Sequence, residues 1–361
     1  AEVRGVGSQK GQTELYRGAA SPADLLPKIE LEVALAEYLG VSHISLYANG
    51  TLALIAALRV LGRSGEIITT PFSFPATAHA IEWVGMRPVF ADIDLATCNL
   101  DPARVAEAIS SRTAAILPVH CYGTPCDVES FAALSGRHDV PVVYDAAHAF
   151  AVRDAGGSVL RHGAMSVLSF HATKVFTTIE GGAVVCSSAA QKRELDQLKN
   201  FGYVDPHRII RAGINAKMSE VHAAMGLVQL RHIAEHLDHR RRLAACYRRC
   251  LANIEGLRLL AESAHFVGNG AYFPVFIDSG VPGAADAVCA FLNARNIFPR
   301  RYFAPLLCDL EAYSGSAAGD ALPVARRVGE SVVCLPMSAD YPLELVEHVA
   351  GLLIEALGAV R

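Results

Sequence analysis

The sequence predicts an α/β fold: a large unit on a mainly parallel, helix-covered sheet, followed by a smaller C-terminal α+β unit. Three observations predict it. Between residues 50 and 190, short apolar runs alternate with helical patterns. Those runs are rich in Val, Ile and Leu and lack clean polar alternation, as strands covered on both faces do. Beyond residue 200 a long helical pattern intervenes, and shorter, more varied segments follow it. At 361 residues the chain has room for two domains, and the division is placed at 1–240 and 241–361.

Strands are expected at Glu66–Thr70, Pro88–Asp92, Ala114–His120, Pro141–Asp145, Met165–Phe170 and Gly182–Cys186. Helices are expected between them at Thr51–Leu61, Phe72–Val84, Asp101–Ser110 and Asp127–Arg137. Asp101-Pro102 sets a capping carboxylate before a proline at the first helical position. Strand and helix in alternation argue a parallel sheet. Met218–Leu243 reads as one helix bridging the two units. Met218, Val221, Met225, Val228 and Ile233 mark its apolar face, and His236–Arg242 a solvated basic end. In the smaller unit, strands are expected at Leu257–Leu260 and Tyr272–Ile277, and helices at Ala284–Ala294 and Leu343–Leu357. Gly280–Gly283 and Ala317–Asp320 read as loops.

Apolar residues make up 52% and charged residues 19%, which excludes a disordered chain. With 32 basic and 36 acidic side chains, and no basic run longer than Arg240–Arg242, a nucleic-acid footprint is not indicated. Mean hydropathy is +0.29, yet runs such as Ala114–Val119 fall far short of a membrane-crossing helix, which needs about 20 residues. No basic segment followed by an apolar core opens the chain, so no membrane and a cytoplasmic location are expected. Nine scattered cysteines form no C-x-x-C pair. Neither His120-Cys121 nor Cys246/Cys250 has the partner ligands a zinc site needs, so core thiols and no metal are expected.

Candidate chemistry collects at strand ends. Pro141–Asp145 is a buried run ending in a carboxylate, and α/β sheets bind ligands at the carboxyl ends of their strands. Asp145 could equally be a helix cap. Lys174 follows the Met165–Phe170 run in a mainly uncharged tract. Lost solvation there lowers an amine's pKa and frees it as a nucleophile toward aldehydes. The alternative, a surface-loop lysine, does not account for Ser169, His171 and Thr173 beside it. Gly181-Gly182 would let backbone approach a ligand. Asn49-Gly50-Thr51 opens a helix, either as an anion site or simply as a capped turn. Phe74 follows a strand end, where it could stack on a flat ring or serve the core. Together these suit pyridoxal 5′-phosphate: phosphate at Gly50-Thr51 and Ser169, aldehyde at Lys174, pyridine nitrogen at Asp145.

The motifs resemble, in order, those of the DegT/DnrJ/EryC1/StrS sugar aminotransferases, which belong to fold type I of the pyridoxal phosphate enzymes. Ala34-Glu37-Tyr38-Leu39-Gly40 resembles the family's first helix, and Asn49-Gly50-Thr51 its phosphate loop. Asp145–Ala149 resembles D-A-A-H/Q-A, Ser169–Lys174 resembles S-F-H-x-T-K, and Gly213–Glu220 resembles G-x-N-x-R/K-M-S/T-E. Arg301-Tyr302-Phe303, Pro305-Leu306 and Leu335-Pro336 resemble its C-terminal signatures. The resemblance implies that Lys174 holds the cofactor and shuttles the proton. It implies that Asp145 pairs with the pyridine nitrogen, His148 approaches the ring hydroxyl and Phe74 stacks on the ring. Gly50, Thr51 and Ser169 would bind the phosphate. Asn215 would reach the phosphate of the neighbouring subunit, giving a homodimer with composite sites. Tyr144 departs from the Glu often found there, and Gln12–Leu26 lacks a clear G-x-x-x-G loop.

The resemblance thus implies a nucleotide-sugar aminotransferase that moves an amino group from L-glutamate to a keto sugar. Ser169–Lys174 with Glu180-Gly181-Gly182 is more similar to members acting at C4 of dTDP-4-keto-6-deoxyglucose than to those acting at C3. Two other readings share the fold: a sugar dehydratase, whose family variant replaces the lysine with His, and a non-catalytic regulator. Lys174 argues against the first. Lys174, Asp145 and the phosphate loop argue against the second.

Overall fold

The computed structural model describes residues 26–313 and 322–360. Residues 12–25 and the expected loop Ala317–Asp320 lie outside the described residues. After helix α1 (Leu26–Leu39) the large unit runs β1 (His43–Tyr47), α2 (Gly50–Val60), β2 (Glu66–Thr69), α3 (Pro75–Trp83), β3 (Arg87–Phe90), α4 (Pro102–Ala108) and β4 (Thr113–Leu117). It continues through α5 (Val128–His138), β5 (Val143–Asp145), the short β6 (Arg153–Asp154) and β7 (Gly157–Ser158), then β8 (Met165–Ser169) and β9 (Gly182–Cys186). Asp101 caps α4 through the Ala103 amide, and Asp127 caps α5 through the Ser130 amide.

The strands form a sheet in the order β1-β9-β8-β5 and, through parallel bridges Ile116↔Val142 and Val119↔Asp145, β4-β2-β3. All neighbours are parallel except β9, which is antiparallel to both β1 and β8. The reason is local: only a loop, not a crossover helix, separates β8 from β9, so the chain must turn straight back. β1 was not among the expected strands.

Beyond the sheet come α6 (Ala189–Leu198), a hairpin of β10 (Tyr203–Asp205) and β11 (Arg208–Ile209), and α7 (Glu220–Leu251), capped by Ser219. The apolar face expected on α7 needs correction. Ala223, Gly226, Ile233 and Leu237 are buried, whereas Val221 is 74% and Val228 48% exposed. Gly226 is what lets α7 close on α1, since a Cβ there would stand 2.8 Å from Leu31 Cδ2. Nor is the basic end wholly solvated. Arg240 is buried, with Nη1 donating to the Gly270 and Met337 carbonyls at 3.4 and 3.3 Å.

The second unit has an antiparallel sheet, β12 (Leu257–Leu259), β14 (Phe273–Ile277) and β15 (Val332–Leu335), with β13 (Phe266–Val267) pairing outward to β6. Its helices are α8 (Ala284–Asn293), α9 (Pro323–Ser331) and α10 (Leu343–Val360); α9 and β15 were not expected. Leu243, Tyr247 and Leu251 of α7 join a core with Val275, Val288, Val349 and Leu353. A second core spans both units, joining Phe72, Phe90 and Tyr122 to Phe276, Phe303 and Leu306. Near β1 a buried ion cluster ties α1 to α6: Lys192 meets Glu32 and Asp196 at 2.8 and 2.9 Å, and Lys199 meets Asp196 at 2.7 Å. Among the described residues, no helix is long and apolar enough to cross a membrane.

Candidate active site

The parallel strands deliver their carboxyl ends to one side of the sheet. Asp145 ends β5 and Ser169 ends β8. On the same side α2 begins just after β1, and α3 begins after β2 with Phe74 as its first flanking residue. A cavity of about 240 Å³ forms there, lined by Gly50, Thr51, Phe74, Asp145, His148, Ser169 and Lys174. Asn215 does not line it. It is exposed and backbone-paired to Asn200 beside the β10–β11 hairpin. A wider groove of about 840 Å³ runs between α8 and α9 and holds none of these residues.

The floor is a buried acid. Asp145 Oδ2 accepts from the Thr77 hydroxyl at 2.8 Å, and Oδ1 accepts from the Ala147 amide at 3.1 Å. Thr77 in turn lies 2.8 Å from the Ser73 hydroxyl. Burial pushes the Asp145 carboxyl above the usual range, against the pull of these hydrogen bonds and of Lys174. Lys174 stands opposite on the turn after β8. Burial pushes its amine down to about 8, with the Asp145 carboxylate drawing it back up. A lysine in this state is an available nucleophile near neutrality. His148 Nδ1 accepts from the Tyr122 amide at 3.2 Å, which leaves the neutral ring's proton on Nε2. Burial, and then the Lys174 charge, hold that imidazole well below its ordinary pKa.

The rim fits an anion. Gly50 and Thr51 open α2, and first-turn amides have no partner within the helix. Asn49 does cap this helix, accepting from the Leu52 amide at 2.9 Å, so the capping reading and the anion reading hold together. A Cβ on Gly50 would stand 2.9 Å from Ser169 Cβ, so glycine is what leaves a cradle between the loop and the serine. Gly181-Gly182 serves a different purpose from the expected one. A Cβ on Gly182 would fall 2.6 Å from the Asn49 carbonyl carbon, so this glycine admits the Asn49 loop rather than a ligand. An anion cradle, a buried acid and a depressed amine fit a flat phosphorylated aldehyde with a ring nitrogen.

Sequence reasoning missed Thr77, which orients Asp145, and Tyr272, and it gave Tyr302 and Phe303 a place in a C-terminal signature but none at the cavity, which they line with Tyr272 from the second unit. Thr77 carried a weak signal, lying three residues past Phe74 and so on the same helical face. The two metal fragments differ from each other. His120 Nδ1 accepts from the Cys126 amide at 3.0 Å, and its ring stacks on Tyr144 at 4.7 Å. Cys246 and Cys250 gain a third candidate ligand that the sequence did not reveal, Glu347, with the three ligand atoms within 4.8 Å of one another, while Arg249 donates to the Cys246 thiol at 3.2 Å.

The model of the DegT/DnrJ/EryC1/StrS aminotransferase family matches residues 27–353. The chain is 48% identical over 326 residues to a dTDP-4-amino-4,6-dideoxy-D-glucose transaminase of Shigella dysenteriae, covering 90% of this chain and 89% of that one. It is 43% identical over 330 residues to a transaminase of the same description from Escherichia coli, covering 90% and 88%. Among solved structures, that of DesI with its TDP-sugar product superimposes with a TM-score of 0.87 at 35% identity, covering 96% of this chain and 90% of that one.

The acid–amine pair makes a prediction that needs no cofactor. The Asp145 carboxylate favours the ammonium form of Lys174, so Asp145→Asn leaves burial unopposed and lowers the amine's pKa below about 8. Reductive methylation of cofactor-free protein across a pH series, read at the Lys174 peptide by mass spectrometry, should show the midpoint move to lower pH. An unmoved midpoint would mean that the carboxylate does not act on the amine.

Proposed function

The chain belongs to the DegT/DnrJ/EryC1/StrS aminotransferase family, whose aminotransferases depend on pyridoxal 5′-phosphate, and we propose that it transfers an amino group from L-glutamate to C4 of dTDP-4-keto-6-deoxyglucose. The observation that carries the reaction is the pairing of a depressed lysine with a buried carboxylate across one cavity. The two transaminases at 48% and 43% identity support the sugar and the carbon.

Bound cofactor supplies an aldehyde that captures amino groups and a ring that withdraws electrons from the adjacent C–H bond. The chain's own residues do the rest. Lys174 would hold the aldehyde, and as a freed amine it would take the proton from the donor carbon and return it, acting as base and acid in turn. Asp145, held by Thr77 and the Ala147 amide, keeps the ring nitrogen protonated. His148 would offer its Nε2–H to the ring hydroxyl, and Phe74 would cover a ring face. Gly50, Thr51 and Ser169 hold the phosphate. The division near residue 240 is part of the same reading: the body before it carries the lysine, acid and phosphate groups, and the smaller body closes the cavity. A cytoplasmic location belongs to this reading too, supported by nine free cysteines, most of them buried.

A homodimer with shared sites is part of the same reading, and the place of Asn215 supports it. It lies outside its own chain's cavity, on a surface with Phe201, Ile209, Ile210 and Ile214 all more than 40% exposed. Such apolar exposure suits a symmetric interface that buries one face on both partners.

A panel of dTDP-, UDP- and GDP-linked keto sugars, offered with glutamate and analysed by product structure, tests the substrate. The 4-amino product from the dTDP sugar should dominate; preference for a 3-keto sugar would overturn C4. Subunit mixing tests the dimer. Lys174→Ala and Asn215→Ala should each be inactive or crippled alone, whereas with composite sites a hybrid has one site with both defects and one with neither. Mixed subunits should therefore regain up to about a quarter of full activity, since random pairing makes half the dimers hybrids. No recovery, despite proven exchange, would assign Asn215 to its own chain.

A further inference from the structure

Tyr272 stands where the second unit meets the cavity. It immediately precedes β14, whereas Lys174 follows β8, so the two meet only because the units pack together. Lys174 Nζ donates to Tyr272 Oη at 3.2 Å. The same nitrogen lies 5.8 Å from the ring centroid, so the contact is made at the hydroxyl rather than over the ring face. The ring itself is held on several sides, with centroid distances of 4.6 Å to His148, 5.9 Å to Tyr122 and 5.9 Å to Tyr302. Its backbone is pinned as well. Asn269 Nδ2 donates to the His148 and Phe150 carbonyls at 2.8 and 2.9 Å, while its Oδ1 accepts from the Ala271 amide at 3.0 Å. The segment bearing Tyr272 is thus fastened to the segment bearing His148.

We infer that Tyr272 is a positioning residue for Lys174: its phenol holds the amine at the cavity wall whenever the amine is not bonded to the cofactor. The inference rests on the transamination proposed above. In that reaction the lysine must let go of the cofactor, accept a proton from a carbon and deliver it again. A flexible four-carbon stem gives the freed amine no fixed place of its own. A phenol suits both of its states, because the oxygen accepts from an ammonium and the O–H donates to an amine. The proton that moves is the one passed between substrate carbon and Nζ. Tyr272 keeps its own, since burial raises its pKa above the ordinary value. The other titratable groups on the cavity lining are the Asp145 carboxylate, the neutral His148 ring, Tyr302, His171 and Glu180. His148 packs against Tyr272, but the hydrogen bond the amine makes is to the Tyr272 hydroxyl and not to Asp145 or His148.

Tyr272→Phe keeps the ring and removes only the hydroxyl. In cofactor-free protein, the Lys174 titration midpoint, read by reductive methylation and peptide mapping, should fall by roughly one unit, because the phenol's hydrogen bond to the charged ammonium is stronger than its bond to the neutral amine and so favours the charged form. In the loaded enzyme, kcat with glutamate should fall about tenfold while KM stays within about twofold, and the isotope effect from α-deuterated glutamate should rise as proton transfer becomes limiting. An unchanged midpoint in Tyr272→Phe overturns the inference, whatever the turnover. That midpoint is read without cofactor or sugar, so it stands apart from any failure of the proposed substrate.

Discussion

Holding an amine and a carboxylate together in a dry cavity is the constraint on which the rest of the site depends. Each charge alone would lose solvation without compensation, and together they hold one another in check. The effect on Lys174 is a pKa of about 8, close enough to neutrality for the amine to serve as nucleophile and base. The effect on Asp145 is a carboxylate that must be steadied by donors, here the Thr77 hydroxyl and the Ala147 amide. The pair forms because β5 and β8 are parallel neighbours, with Asp145 level with Val167 and β8 running on to Ser169, so the carboxylate at the tip of one strand lies beside the turn after the other.

Everything around the pair keeps water out or holds a loop close. The antiparallel return of β9 sets Gly182 against Asn49, which brings the α2 amides to the cavity edge. The shared core of Phe72, Tyr122, Phe276 and Phe303 fixes the second unit against the first, and that packing sets Tyr302 and Phe303 over the opening. Farther out, the buried cluster of Glu32, Lys192, Asp196 and Lys199 locks α1 and α6 to the β1 edge. Such a network does little for net stability but specifies one arrangement, since any slip would strand a buried charge.

Much of this was legible in the sequence, for definite reasons. Pro141–Asp145 and Met165–Ser169 read as buried strands because they lack polar alternation, and chemistry-bearing residues at their ends follow from how α/β sheets bind ligands. That Gly50, Thr51, Asp145, Ser169 and Lys174 meet in one cavity was legible from their chemistry taken together. The direction of β9 was not, because a run of Ala and Val says nothing of which way the chain travels. Val221 and Val228 read as core since helical spacing alone cannot tell a buried stripe from an exposed one. Arg240 read as solvated because its partners are carbonyls of Gly270 and Met337, which no side-chain pattern reveals. Tyr272 and Thr77 stayed hidden for a similar reason: each acts through a contact made only when distant segments pack.

The central claim is that Lys174 is the residue that holds the cofactor. Borohydride reduction of the protein loaded with pyridoxal 5′-phosphate, followed by proteolysis and peptide mass mapping, tests it most directly. The account predicts a single pyridoxyl-modified peptide with the label on Lys174. A label on any other lysine, or none while cofactor remains bound, would contradict it.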